Sequence, residues 1–233
     1  MAIAVYWDVD GTLLTSPPRR ADLFAVTIEE LGGTPVVPEE PREGLPDHLA
    51  ATLYLEAAGM DPARTGEFLT VLDLRSAAYF VKHPRRVTSG VHGALADVRA
   101  RGWRQALMSG NTPSRIRSKL FTAGIDPSLF DMRTSVAGDR ADDRGDLGER
   151  ARQLSGDDTL IVVGDTVHDR TAARSAGAAF IAVCADPEVA ADLGRDAVAV
   201  VADFADPAFH AALDAVQEGR ARILWDRPGQ PER

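Results

Sequence analysis

Ile3–Trp7 is an apolar run of strand length that stops at Asp8, and the same pattern returns along the chain. Gln105–Met108 runs into Ser109, and Thr159–Val163 runs into Gly164-Asp165; Ala178–Cys184 and Ala197–Val201 are further apolar runs. Helical patterns lie between them, over Val91–Arg101, Ser114–Ala123, Leu147–Leu154, His168–Ala176, Pro187–Gly194 and Pro207–Glu218. Strands that are apolar on both faces and alternate with helices predict an α/β fold, a Rossmann-like doubly wound parallel sheet covered on both sides.

The stretch from about Pro17 to Arg86 breaks this rhythm. It holds three helical patterns, Arg20–Leu31, Asp47–Ala58 and Asp61–Val81, and no strand pattern. Asp61 reads as an N-cap with Pro62 at the first helical position, and Pro35–Glu43 reads as a turn-rich connection. The predicted organisation is therefore a core of residues 1–16 and 87–222, an inserted all-helical cap over 17–86, and a mobile polar tail over 223–233. A chain of 233 residues is long enough for a core domain with a small inserted module.

Charge narrows the partners. The net charge of -9 disfavours nucleic acid and acidic membrane surfaces as partners. The N-terminal apolar run is one strand long, lacks a basic flank and does not read as a signal peptide. No stretch approaches membrane-spanning length, and the expected location is the cytoplasm. Cys184 is the single cysteine, and its apolar context reads as a small buried hydrophobe rather than a reactive thiol. His48, His83, His92 and His210 are scattered without zinc spacing.

Three strand ends carry the chemistry. In Asp8-Val9-Asp10-Gly11-Thr12, two aspartates leave the C-terminal end of a strand, the edge where open parallel sheets bind ligands. Gly11 allows a sharp turn. Both carboxylates could serve one hard cation such as Mg²⁺ and one substrate. Asp8 is suited to attack phosphorus, and Asp10 to protonate the leaving oxygen and then activate water. Ser109-Gly110-Asn111-Thr112 precedes a helix, and its hydroxyl and N–H groups suit phosphate oxygens; an ordinary helix cap by Ser109 or Asn111 competes with this. Gly164-Asp165-Thr166-Val167-His168-Asp169 adds a carboxylate for the cation and another, one turn on, to orient ligands. For this segment the competing reading is Asp165 as an N-cap and Asp169 as a first-turn acid. His168 reads as an exposed helix residue. So many negative charges call for a cation, and Arg144 or Arg140 in Gly138–Arg144 are the candidates.

These three segments together resemble motifs one, two and four of the haloacid dehalogenase superfamily, and the helical insert resembles the cap of its phosphoglycolate phosphatase and β-phosphoglucomutase subgroup. The resemblance runs from Ile3 to about Val201. It implies Asp8 as nucleophile and Mg²⁺ ligand, Asp10 as general acid/base whose backbone carbonyl also meets the metal, and Asp165 as a further ligand supported by Asp169. It implies that Ser109, with Gly110 and Asn111, binds the phosphoryl group. The family's third motif usually supplies a lysine. Lys82 and Lys119, the only lysines, do not fit that place: Lys119 lies on the helix after motif two and Lys82 at the end of the insert. Arg144 is the first substitute and Arg140 the reserve; arginine keeps the charge with different reach.

The resulting expectation is a Mg²⁺-dependent phosphatase acting on a small-molecule phosphate ester. A phosphomutase, or a binding module that has kept the fold without catalysis, are the alternatives. Phosphoglycolate, a sugar phosphate and a nucleotide monophosphate are all open as substrates. Arg20, Arg42, Arg75 and Arg85 are candidate contacts for an anionic substrate, each weighed against a solvated surface position.

Overall fold

A computed structural model describes residues 2–15, 22–38 and 44–221. Six parallel strands form one sheet: β1 (Ile3–Trp7), β2 (Arg104–Ser109), β3 (Val136–Ala137), β4 (Thr159–Gly164), β5 (Ala179–Val183) and β6 (Ala199–Val201). Their order is β3-β2-β1-β4-β5-β6, and every neighbouring pair is parallel. The order reverses at β1, so the C-terminal ends of β1 and β4 lie side by side where a doubly wound sheet opens a crevice.

Alternation along each strand separates two cores. Val5 and Trp7 of β1 face one side with Leu107, Ile161, Val163 and Ile181, under helices α4 (Val91–Ala100), α5 (Pro113–Thr122) and α9 (Pro207–Gln217). Ala4 and Tyr6 face the other with Met108, Val162 and Phe180, under α6 (Arg144–Ser155), α7 (Val167–Ala176) and α8 (Pro187–Leu193).

A third cluster belongs to the insert. Phe24 and Ile28 of α1 (Leu23–Glu30), Tyr54 and Leu55 of α2 (Asp47–Ala57), and Phe68 and Leu72 of α3 (Thr65–Lys82) pack together. The chain leaves and re-enters the core through a short antiparallel contact. Leu14 bridges Val87, Thr15 N donates to Arg86 O at 2.9 Å, and Thr88 N donates to Leu13 O at 3.0 Å.

The predicted elements reappear with small shifts and a few corrections. β3 has only two residues, too few to show a period in the sequence. The expected Asp61–Val81 helix begins as a 3-10 turn, Pro62–Arg64, with Asp61 accepting from Ala63 N at 2.9 Å, before α3 starts. Cys184 is half-exposed rather than buried, because it lies just past β5. The residues assigned to a tail, 223–233, and the connection residues 39–43 lie outside the described residues. Among the described residues, no helix is long and apolar enough to cross a membrane.

The insert is docked on the core through a buried polar seam. Asp47, at the start of α2, forms an ion pair with Arg115 of α5, and its other oxygen accepts from Thr112 N at 2.8 Å. The backbone joins in: Asp47 N donates to Gly110 O at 2.6 Å and His48 N to Gly138 O at 2.9 Å. From α3, Ser76 Oγ accepts from Arg115 Nε at 3.1 Å, and Asp73 accepts from the Thr112 hydroxyl. Asp47 and Arg115 are both buried, so deleting one charge strands the other. Asp47→Ala should lower stability to urea by about 3–5 kcal/mol. A loss below about 1 kcal/mol would show that the pair is solvated rather than buried in solution.

Candidate active site

The loops after β1, β2 and β4 meet at one edge of the sheet. Asp8 leaves β1 with its N–H donating to Val163 O at 2.9 Å, which fixes it beside the end of β4. Gly11 turns the chain with φ 95°, a conformation that disfavours side chains. A Cβ at Gly11 would also overlap the Asp165 carboxylate. The next residue holds that carboxylate in place: Thr12 Oγ1 donates to Asp165 Oδ1 at 2.9 Å.

The caps of α5 and α7 are supplied by threonines, which resolves two ambiguities. Thr112 caps α5 and Thr166 caps α7. Ser109, Asn111 and Asp165 are therefore not helix caps, and their polar atoms remain for the site. Asp169 has the helical role anticipated for it, completing a capping box with Thr166. Its Oδ2 accepts from Thr166 N at 3.0 Å, Thr166 Oγ1 at 2.7 Å and Asp165 N at 3.2 Å. Its Oδ1 faces Arg144.

Asp8, Asp165 and Asp169 each bring a carboxylate oxygen within 4.8 Å of the others. Asp169 rather than Asp10 completes this carboxylate group. Oxygen donors of this kind, two of the three buried, fit a hard divalent cation. The electrostatics agree. Burial, then the Asp169 charge, pushes the Asp8 carboxyl well above the usual range, against the pull of Arg144. Burial and Asp169 also push Asp165 up to about 7.

Arg144 is the cation of this group, and Arg140 is not. Arg144 Nη1 lies 3.5 Å from Asp8 Oδ1 and 3.1 Å from Asp169 Oδ1, and the side chain is buried. Burial works against its charge, but Asp169 and Asp8 hold it above its ordinary value. It occupies the first position of α6, where the helix dipole disfavours a cation by about 0.3–1 kcal/mol. The carboxylates offset that cost. Its Nε donates to Gly44 O of the insert at 2.7 Å. Arg140 is exposed and 3.8 Å from Asp139.

Asp10 turns away to a separate network. Its Oδ2 accepts from Asn111 Nδ2 at 2.8 Å and from the Lys119 ammonium. Asn111 Nδ2 also donates to Ser109 Oγ at 2.8 Å, and Asn111 Oδ1 accepts from Lys119 Nζ at 2.7 Å. Ser109 Oγ further accepts from Asn111 N at 3.3 Å, so its own hydrogen remains for a ligand oxygen. Burial opposes the charge on Asp10, yet Lys119 and Asn111 hold its carboxyl well below the usual range. Burial pulls Lys119 down to about 8, partly offset by Asp10.

Lys119 is the residue that sequence reasoning passed over. One signal was available: on α5 the cations Arg115 and Lys119 stand four apart, each directly before an apolar residue of the buried stripe, Ile116 and Leu120. Two cations at that spacing on the inward face require carboxylate partners. His168 also departs from expectation. It is half-buried rather than exposed, because Gly44 of the insert sits against its ring. Of the candidate substrate contacts, Arg75 pairs with Glu30 and Arg85 lies over the Phe80 ring, while Arg20 and Arg42 fall outside the described residues.

A family model described as haloacid dehalogenase-like hydrolase matches residues 4–177. No curated protein sequence matches the chain. The fold is similar to that of CbbY from Rhodobacter sphaeroides in complex with phosphate, with TM-score 0.70 and 20% identity over 92% of this chain and 100% of that one. A CbbY mutant from the same organism, in complex with xylulose-(1,5)bisphosphate, gives TM-score 0.67 and 19% identity over 88% and 96% of the two chains. The β-phosphoglucomutase of Clostridium difficile gives TM-score 0.64 and 15% identity over 95% and 100%.

With Asp165 held up to about 7, a cation entering the carboxylate group must displace a proton. Affinity for a divalent cation, measured by calorimetry, should therefore fall as pH drops below about 7. A flat response between pH 5 and about 8 would remove Asp165 from the cation's ligands.

Proposed function

This chain belongs to the haloacid dehalogenase-like hydrolases, and within that family we propose that it is a Mg²⁺-dependent phosphatase that hydrolyses a small-molecule phosphate monoester through an aspartyl-phosphate on Asp8. One observation carries this reading: a buried carboxylate, Asp8, belongs to a three-carboxylate group with its arginine, while a further carboxylate, Asp10, is held apart by its own partners. A nucleophile and an acid/base need different environments, and the site provides two.

Asp8 and Asp165, with the backbone carbonyl of Asp10, would hold the Mg²⁺, and Asp169 supports them from behind. When bound, the ion supplies positive charge that offsets the carboxylates and polarises the phosphoryl oxygens. The remaining steps belong to the chain. Ser109 and the backbone around Gly110 and Asn111 hold the phosphoryl oxygens, and Arg144 balances charge beside Asp8. An Asp8 oxygen attacks phosphorus, and the bond from phosphorus to the ester oxygen breaks. The departing oxygen takes a proton from Asp10. Water then loses a proton to Asp10 and attacks the same phosphorus, breaking its bond to Asp8 and releasing inorganic phosphate. Asp10 is anionic in the ligand-free protein. It takes up its proton as the anionic phosphoryl group arrives, because a nearby negative charge favours the neutral carboxyl.

The docked insert favours a second reading. With Gly44 on Arg144 and Asp47 on Gly110, the insert covers the site, as a phosphomutase needs if the phosphoryl group is to return to a sugar rather than to water. Interconversion of hexose phosphates without net phosphate release would select it.

The test is phosphate release from a panel of monoesters, with Mg²⁺ and with chelator, for the native chain and for Asp8→Asn. Turnover should require the metal and fall by about 10³-fold or more in the mutant. The mutant should melt no lower than the native protein, since removing a buried like charge relieves repulsion. A folded mutant with native activity would sink the mechanism. Arg144→Ala should cost more activity than Arg140→Ala; the reverse order would move the cation's role to Arg140.

A further inference from the structure

Lys119 takes part in none of the steps above, yet it is buried with 2% exposure. Placing an ammonium there is costly unless it is fully paired. Two hydrogen-bond acceptors and an aromatic ring surround it. One N–H bond goes to Asp10 Oδ2, one to Asn111 Oδ1 at 2.7 Å, and the charge lies 5.4 Å from the Phe80 ring centroid on α3. Asn111 is equally committed, with Nδ2 donating to both Asp10 Oδ2 and Ser109 Oγ. Its orientation is fixed by chemistry, because Lys119 can only donate and the Asp10 carboxylate can only accept.

One oxygen of Asp10 is therefore gripped twice. The other, Oδ1, makes no hydrogen bond among the described residues, and the Asp10 side chain keeps 22% exposure. We infer that Lys119 is a positioning residue for Asp10: with Asn111 it clamps Oδ2, so that Oδ1 is presented to the leaving oxygen and then to water. This inference rests on the reading of Asp10 as the acid/base. Lys119 reaches Asp10 from a helix that also packs on the insert, with Phe80 of α3 closing over the ammonium. A clamp of this kind fixes the carboxylate's rotamer against a ligand whose own charge would repel it.

The role makes a selective demand. Protonation matters for a poor leaving group, such as an alkyl alcohol, and little for a good one, such as 4-nitrophenol. Lys119→Met should therefore lower kcat/KM about 10²-fold for an alkyl phosphate and less than about 5-fold for 4-nitrophenyl phosphate. In an Asp10→Asn background the same substitution should cost nothing further, because a residue that acts through Asp10 has nothing left to act on. Equal losses for both esters would make Lys119 merely structural. A loss that persists in the Asp10→Asn background would mean direct action on the phosphoryl group. Either result overturns the inference, as does a smaller loss for the alkyl ester than for the aryl one, which is what a purely electrostatic brake on Asp10 as an acid would give. If Lys119→Met does not fold, Lys119→Gln, which is neutral and one bond too short to reach Asp10 in the same way, is judged by the same two criteria. Failure of the underlying reading looks different: Asp10→Asn itself would turn over both esters like the native protein.

Discussion

Negative charge packed into a small volume governs this structure. Asp8, Asp10, Asp165 and Asp169 all sit where β1 and β4 end, and two of them are driven toward protonation by burial and by their neighbours. At an effective dielectric of about 20, two like charges 4 Å apart repel by about 4 kcal/mol. The protein answers by dividing the four into two sets, each with its own cation: Arg144 for Asp8, Asp165 and Asp169, Lys119 for Asp10. The balance still favours negative charge, which suits a hard divalent cation.

The division follows from the fold. Because β1 and β4 are adjacent in the sheet, their C-terminal loops bring Asp8 and Asp165 together without any long-range loop. Asp10, two residues further on, lies past the strand, and its side chain turns toward the loop after β2, where Asn111 waits. Capping then decides which polar groups are spent on structure. Thr112 and Thr166 take that duty, and Ser109 and Asp165 escape it. Asp169 does both jobs, one oxygen for the helix and one for Arg144.

What could be read in advance follows the range of each interaction. The sheet, the helical insert and the strand-end residues were legible because period and turn chemistry are local. Charge balance left Arg144 and Arg140 both open, and only the fold sets Arg144 beside Asp8 and Asp169. Lys119 was not legible, because its partner lies 109 residues away and α5, taken alone, offers an ordinary basic helix. The Asp47–Arg115 pair was hidden for the same reason, since a carboxylate at a helix start is favoured by the dipole whether or not anything else meets it. His168 was misjudged because a polar residue in the first turn of a helix is usually exposed, and only the tertiary fold sets Gly44 against it. Cys184 erred in the other direction, an apolar run having been extended one residue past the end of its strand.

Helix α5 ties these two hidden pairs together. Arg115 and Lys119 are one turn apart on the same face. Arg115 holds the insert through Asp47, and Lys119 holds Asp10. Both cations also lie over aromatic rings of the insert, Arg115 over Phe24 and Lys119 over Phe80. If the insert lifts, both rings and both Asp47 bonds go with it, and Lys119 meets water. An ammonium in water binds a carboxylate far less tightly than one enclosed beside a ring. The grip on Asp10 thus depends on the docked insert as well as on α5.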